Sequence, residues 1–243
     1  MLPEHAAVPA LREGDALFLD FDGTLAALQD NADTVHISAL ISDLVVACAE
    51  RLGGALAILS GRDLDDLAQR VPDGVWRFGN HGLRGAAPGE APQPFIGTPP
   101  PGLEDAVLAI ARRYPGVRVE PKGLVLAIHY RAAPDCAQAL GTALRSALAP
   151  FATYGLQHGK MVFEAKPATA NKGACLLRAM KMAPFAGRRP VMIGDDTTDE
   201  DAFIASHAAG GIAVKVGAGP TAADQRLASI EDVHRLLREF AAK

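Results

Sequence analysis

The chain has 243 residues, 49% of them hydrophobic, enough to bury a substantial core as one large unit or two modest ones. Its 24 Lys and Arg against 28 Asp and Glu leave a formal net charge of -4, which gives no basic field for a nucleic-acid backbone. The three cysteines, Cys48, Cys136 and Cys175, are widely spaced and not at metal-ligand intervals, so they read as reduced packing residues of a cytosolic protein.

The first fifteen residues mix Glu4, His5, Arg12, Glu13 and Asp15 with two prolines and lack the basic start and apolar middle of an export signal. No uncharged apolar run approaches the roughly 20 residues of a membrane span, because the stretch 44–59 is broken by Glu50 and Arg51. A cytoplasmic monomer without membrane or nucleic-acid partners is expected.

Residues 16–21 form a short apolar run that ends in a carboxylate and gives way to Asp22-Gly23-Thr24, the pattern of a buried strand entering a loop. Residues 37–52 carry apolar side chains at helical spacing and stop at Gly53-Gly54. Residues 55–59 read as a second buried strand, again ending in polar residues, Ser60-Gly61-Arg62. Strand, helix, strand without alternation predicts a parallel sheet covered on both faces. Residues 190–193 and 211–216 read as two more such strands, with an acidic loop and a helix between them.

Between these halves, Gly97-Thr98-Pro99-Pro100-Pro101-Gly102 makes a rigid, turn-prone boundary. Residues 103–114 and 134–148 are predicted helical. Residues 117–120 and 124–130 read as strands paired across Pro121-Lys122-Gly123, and 153–157 and 161–165 as strands paired across His158-Gly159-Lys160. The fold class is therefore α/β: a Rossmann-like parallel-sheet core formed by residues 1–98 and 167–243, with an inserted α+β unit, αββαββ in order, over 99–166.

Asp20-Phe21-Asp22-Gly23-Thr24 places two carboxylates two residues apart where a parallel strand ends, the position at which open α/β sheets bind ligands. One acid can attack phosphorus while the other protonates the leaving alcohol and later deprotonates water, and Thr24 can donate to a phosphate oxygen. An ordinary Asp-Gly turn is the plainer reading of that fragment alone. Gly194-Asp195-Asp196-Thr197-Thr198-Asp199-Glu200-Asp201 adds an acidic loop at another strand end. A helix N-terminus accounts for Glu200 and Asp201 but not for Asp195, whereas a hard divalent cation such as Mg²⁺ relieves the repulsion. A phosphate dianion also needs donors and positive charge: the Ser60 hydroxyl, the Gly61 amide and Lys172 at the start of a helix supply them. Singly, Ser60 reads equally as a helix cap and Lys172 as a solvated charge.

Those two acidic segments, with Leu59-Ser60-Gly61-Arg62 and Asn171-Lys172-Gly173, resemble in order and spacing the four motifs of the haloacid dehalogenase-like phosphatases. The resemblance implies Asp20 as nucleophile, Asp22 as general acid and base, and Ser60 and Lys172 as phosphate binders, beside the Thr24 and Gly61 donors read above. It implies a Mg²⁺ held by the Asp20 carboxylate, the Asp22 carbonyl and Asp195, with Asp196 and Asp199 supporting that shell. In such phosphatases an αββαββ insert caps small sugar phosphates.

Within that group, Gly79-Asn80-His81-Gly82, Val119-Glu120-Pro121-Lys122-Gly123, His129-Tyr130-Arg131 and Gly159-Lys160-Met161-Val162-Phe163-Glu164 resemble the trehalose-6-phosphate phosphatase family over nearly the whole chain. That implies a sugar-phosphate substrate, trehalose 6-phosphate, whose hydroxyls meet Glu120, Lys122 and Glu164, with Arg62, Asn80, His81, His129, Arg131 and Lys160 shaping the pocket. Independently, Lys122 and Lys160 fall in expected hairpin turns, from which charged side chains can reach into a cleft; a lysine there is otherwise simply solvated. His129 alternates with apolar neighbours and reads equally as an interior histidine. A sucrose-phosphate or glycosyl-phosphoglycerate phosphatase would keep the same core motifs, and a silent sugar-binding module would be expected to lose Asp20 or Asp22.

Overall fold

A computed structural model of the chain describes residues 10–29, 31–93, 97–159 and 161–243. It divides into two compact units, Met1–Gln93 with Ala170–Lys243, and Pro94–Thr169.

In the first unit, β1 (Asp15–Leu19) is buried at every position. Helix α1 (Ala39–Arg51) starts at Ser38, whose hydroxyl accepts from the Ile41 amide at 3.3 Å and satisfies one of the unpaired donors of the first turn. There follow β2 (Leu56–Leu59), the short α2 (Leu64–Ala68) capped by Asp63, β3 (Trp76–Gly79) and β4 (Arg84–Ala86). In the second unit lie α3 (Leu103–Ala111), β5 (Arg118–Lys122), β6 (Val125–His129), α4 (Ala137–Leu148), β7 (Tyr154–Gly159) and β8 (Val162–Pro167). The chain then returns to the first unit with α5 (Lys172–Ala179), β9 (Arg189–Gly194), α6 (Glu200–Ala208), β10 (Ile212–Val216), β11 (Gln225–Leu227) and α7 (Ile230–Ala241).

Among the described residues the first unit carries a seven-stranded sheet in the order β11-β10-β9-β1-β2-β3-β4. Its pairs are parallel except β3 with β4. The chain steps outward from β1 through β2 and β3, then resumes on the other side of β1 with β9 and continues to β10 and β11. Strands β1 and β9 therefore adjoin at the switch point of the sheet, where open α/β sheets form a crevice at the carboxyl ends of the strands. Leu19 is in register with Ile193, and the Asp20 amide donates to the Ile193 carbonyl at 2.9 Å, so the residues just beyond are delivered side by side.

Helices α1, α5, α6 and α7 all contribute to the core around this sheet. Phe18 stacks on Phe185 at 5.3 Å between ring centroids, and Trp76 meets Phe185 edge-on at 5.8 Å.

The second unit has its own core. A four-stranded antiparallel sheet, β5-β6-β8-β7, buries Leu126, Ile128, Phe163 and Ala165 against Leu103, Val107 and Ile110 of α3 and Leu140, Leu144 and Leu148 of α4. Both hairpins turn later than their sequences predict. Strand β5 runs through Pro121 and Lys122, because at the edge of the sheet a proline without an N–H loses no essential ladder bond. Lys122 is thus the last residue of a strand, not part of the turn. Likewise β7 continues through His158 and Gly159, and Met161 ahead of β8 takes φ 61, the left-handed backbone of a tight hairpin connection. The predicted helix over 134–148 is broken into a 3-10 turn, Pro134–Cys136, and α4.

Phe18 is fully buried. Phe18→Ala removes one side of its stack and leaves a cavity, so the unfolding free energy in a urea titration is expected to fall by about 3–5 kcal/mol.

Candidate active site

Beyond Leu19 the chain folds into a tight turn in which the Phe21 carbonyl accepts from the Leu25 and Ala26 amides at 3.0 and 2.9 Å. The turn requires Gly23: its φ is +87, and a Cβ there would come within 2.1 Å of Asp195 Oδ2. Phe21 is buried, as its place between two acids implies, and Thr24 is buried beside it.

Lys172 opens α5, whose N-cap Asn171 accepts from the Ala174 amide at 2.6 Å. Helix α5 crosses α6 closely at Gly173, where a Cβ would lie 2.3 Å from the Asp201 carbonyl oxygen. That approach carries Lys172 to the strand ends, where its buried ammonium donates to Asp20 Oδ1 at 2.5 Å and to Asp199 Oδ1 at 2.6 Å. The other Asp199 oxygen accepts from the amides of Asp195 and Asp196, both at 3.0 Å. Thr24 Oγ1 donates weakly to Asp195 Oδ1 at 3.4 Å. Asp196 points away: it is exposed and caps the 3-10 turn Thr197–Asp199, accepting from the Thr197 amide at 2.6 Å.

Asp20, Asp195 and Asp199 offer oxygens within 4.8 Å of one another. Burial, then the neighbouring Asp199, pushes the Asp20 carboxyl well above the ordinary aspartate range, against the pull of Lys172. Asp195 is raised for the same two reasons, burial first. In turn, Asp199 and Asp20 raise Lys172, outweighing burial, and keep it charged. One ammonium against three carboxylates leaves the group short of positive charge. Asp199 is spent on Lys172 and two amides, so Asp20 and Asp195 are the oxygens left for a hard cation, a set that fits Mg²⁺.

The loop after β2 completes the site. Ser60 Oγ accepts from the Arg62 amide at 3.1 Å, and the Ser60 carbonyl accepts from the His81 amide at 3.0 Å. Asn80 and His81 are buried with left-handed backbones, φ 52 and 54. The Asn80 amide donates to the Arg62 carbonyl at 2.6 Å, its Oδ1 accepts from the Leu64 amide at 3.1 Å, and its Nδ2 donates to Asp63 at 3.0 Å. In the structure Asn80 and His81 therefore brace this loop. Arg62 grips Asp22, with Nε to Oδ2 at 2.7 Å and Nη2 to Oδ1 at 2.6 Å.

In the second unit, strand register sets Glu120, Ala127, Glu164 and Gln157 in one row on the sheet face opposite the helices. His129 is not an interior histidine: it is half-exposed, with Nε2 2.9 Å from Glu120 Oε2. Lys122 Nζ lies 3.5 Å from the same oxygen. Although burial works upward, these two neighbours hold the Glu120 carboxyl below its ordinary value. Arg131 is exposed just beyond β6, and with His129 it lines a groove. Lys160 lies outside the described residues.

Sequence reasoning missed Lys215, whose ammonium donates to the Asp195 carbonyl oxygen and so steadies the acidic loop. A lone lysine inside the apolar strand β10 was its signal, since a buried ammonium needs an acceptor. It also missed His234 of α7, whose Nε2 donates to the Leu25 carbonyl at 2.9 Å and pins the turn that carries Asp22 and Thr24.

Residues 18–232 match the family model for trehalose-phosphatase. The chain belongs to the trehalose-phosphatase family. It is 36% identical over 233 residues to a trehalose-6-phosphate phosphatase of Escherichia coli K12, covering 93% of this chain and 86% of that one. An Aspergillus fumigatus trehalose-6-phosphate phosphatase structure shares the fold with a TM-score of 0.73 at 24% identity, over 97% of this chain and 99% of that one. A haloacid dehalogenase-like hydrolase of Bacteroides thetaiotaomicron aligns with a TM-score of 0.67 at 14% identity, over 92% and 98% of the two chains.

The raised carboxyl of Asp195 has a thermodynamic consequence for this trehalose-phosphatase fold. A carboxyl with a raised folded-state pKa favours folding fully only below its unfolded value of 3.8, and that contribution is lost as pH rises through the folded value. In chelator, Asp195→Asn is expected to melt a few degrees above the parent at about pH 8, with the gain fading toward about pH 4. Thermal denaturation at both pH values checks this, and a variant that melts lower at the higher pH contradicts it.

Proposed function

We propose that this protein is a Mg²⁺-dependent phosphatase that hydrolyses trehalose 6-phosphate to trehalose and inorganic phosphate through a phosphorylated Asp20. The observation that carries the chemistry is the meeting of Asp20, Asp195 and Lys172 at the ends of β1 and β9, beside a second acid, Asp22. Membership of the trehalose-phosphatase family, and the name of the Escherichia coli relative, support the substrate.

Mg²⁺ would be held by the Asp20 and Asp195 carboxylates and the Asp22 carbonyl, and when bound it neutralises charge on the phosphate and its nucleophile. Lys172 adds a fixed positive charge. The phosphate oxygens take hydrogen bonds from Thr24, the Gly61 amide and Ser60, whose oxygen already accepts from Arg62 N and so leaves its proton to donate. An Asp20 oxygen bonds to phosphorus as the ester P–O bond breaks, and the sugar oxygen keeps that electron pair and takes a proton from Asp22. Water then gives a proton to Asp22 and its oxygen to phosphorus, the acyl P–O bond breaks, and phosphate leaves. Arg62 engages each Asp22 oxygen once, and the second lone pair on those oxygens is left to carry the proton.

In this reading the unit of Met1–Gln93 and Ala170–Lys243 is the catalytic core and Pro94–Thr169 is the cap that selects substrate, a few residues wider at each end than the 99–166 expected from sequence, with β8 running on to Pro167. Glu120, Lys122 and Glu164 hydrogen-bond sugar hydroxyls. His129, Arg131 and Lys160 of the second unit also meet the sugar in this reading, Arg62, Asn80 and His81 shape the loop after β2 in the first unit, and Asp196 and Asp199 support the metal loop.

Phosphate release from a panel of sugar phosphates tests this, with Mg²⁺ and with chelator. Trehalose 6-phosphate is expected to be the best substrate and chelator to abolish turnover. Glu164→Ala should lose about tenfold or more on trehalose 6-phosphate relative to p-nitrophenyl phosphate, the value of a hydrogen bond to a charged group. Equal losses on both, or a flat panel, would contradict the substrate assignment.

A further inference from the structure

Asp22 does not rest on Arg62 alone; the guanidinium it grips is itself the middle of a chain of alternating charges. Arg62 spends Nε and Nη2 on Asp22 and gives Nη1 to Asp66 Oδ2 of α2 at 2.9 Å, while its face lies over the Phe21 ring at 5.4 Å. Asp66 is clamped in turn by Arg70, with Nη2 to Oδ1 at 2.5 Å and Nε to Oδ2 at 2.9 Å. Arg70 is anchored to the backbone: its Nη1 donates to the Asp33 and Val35 carbonyls at 3.0 and 2.8 Å. The two arginines are mostly buried, with side chains 12% and 7% exposed, so neither is a loose surface charge.

We propose that Asp66, held by Arg70, is a positioning residue that acts through Arg62 to fix the carboxylate of Asp22 for proton transfer to the leaving oxygen. The inference rests on the acid–base role of Asp22 proposed above. Arg62 has three donors committed in one plane, two on Asp22 and one on Asp66, and the Asp66 contact sets the tilt of that plane. Without it the fork can pivot about the Asp22 pair, and the acid moves with it. Misplacement of a reacting group by about 1 Å costs on the order of a hundredfold in rate. Arg62, Asp66 and Arg70 stand at successive four-residue intervals, just before, within and just after α2, so the link runs along one side of that short helix.

The readout must separate proton donation from general damage to the site, and leaving-group dependence does so. Phenyl phosphate needs a proton delivered to its leaving oxygen, whereas p-nitrophenolate departs without one; neither offers sugar hydroxyls to the second unit. With Mg²⁺ present, Asp66→Asn is expected to lower kcat/KM on phenyl phosphate about tenfold more than on p-nitrophenyl phosphate, a fraction of what general acid catalysis supplies. Asp66→Glu should restore much of the parent ratio. Arg70→Gln, one link further out, should shift the ratio in the same direction by about threefold and covers the case in which Asp66→Asn does not fold. An unchanged ratio in these variants, with both rates falling equally or not at all, would overturn the inference while leaving the phosphatase reading intact. A parent protein inert on both esters would overturn that reading, and this inference with it.

Discussion

A buried ammonium shared by two buried carboxylates governs this site. Lys172 sits between Asp20 and Asp199 with almost no exposure, and each of the three charges would be costly if either partner were missing. The arrangement ties together three parts of the chain far apart in sequence: the end of β1, the first turn of α5 and the loop after β9. It also leaves a residual negative charge, because Asp195 joins the same cluster. That imbalance is what a divalent cation would resolve.

The fold exists to hold that cluster in place. Parallel pairing of β1 with β9 delivers Asp20 and Asp195 to neighbouring positions, and the buried strands above them allow little relative movement. Close approach is obtained through missing side chains: Gly23 lets the turn pass beside the Asp195 carboxylate, and Gly173 lets α5 cross α6 near enough for Lys172 to reach. Around this centre run secondary anchors, Lys215 on the Asp195 carbonyl and His234 on the Leu25 carbonyl, each from an element late in the chain.

Much of this was legible in the sequence. Short apolar runs ending in Asp20, Ser60 and Asp195 mark strand ends, and a parallel sheet puts strand ends together, so the core residues of the site could be named before any coordinates. What was not legible depended on side-chain partners. Arg62 reads as a pocket residue, but its partners Asp22 and Asp66 emerge only when the β1 and β2 loops are adjacent. Asp66 and Arg70 look like ordinary helix-surface charges in sequence. Strands β3, β4 and β11 are too short, at three or four residues, to show a period. Pro121 and Gly159 predict turns too early in both hairpins, whereas at strand edges and ends both are tolerated within the ladder.

The central claim is covalent chemistry at Asp20, and mass spectrometry of the acid-quenched steady state tests it most directly. With trehalose 6-phosphate and Mg²⁺, the peptide containing Asp20 is expected to carry a phosphoryl group that alkaline hydroxylamine removes. Steady release of phosphate with no such adduct, sustained equally by Asp20→Asn, would contradict the account.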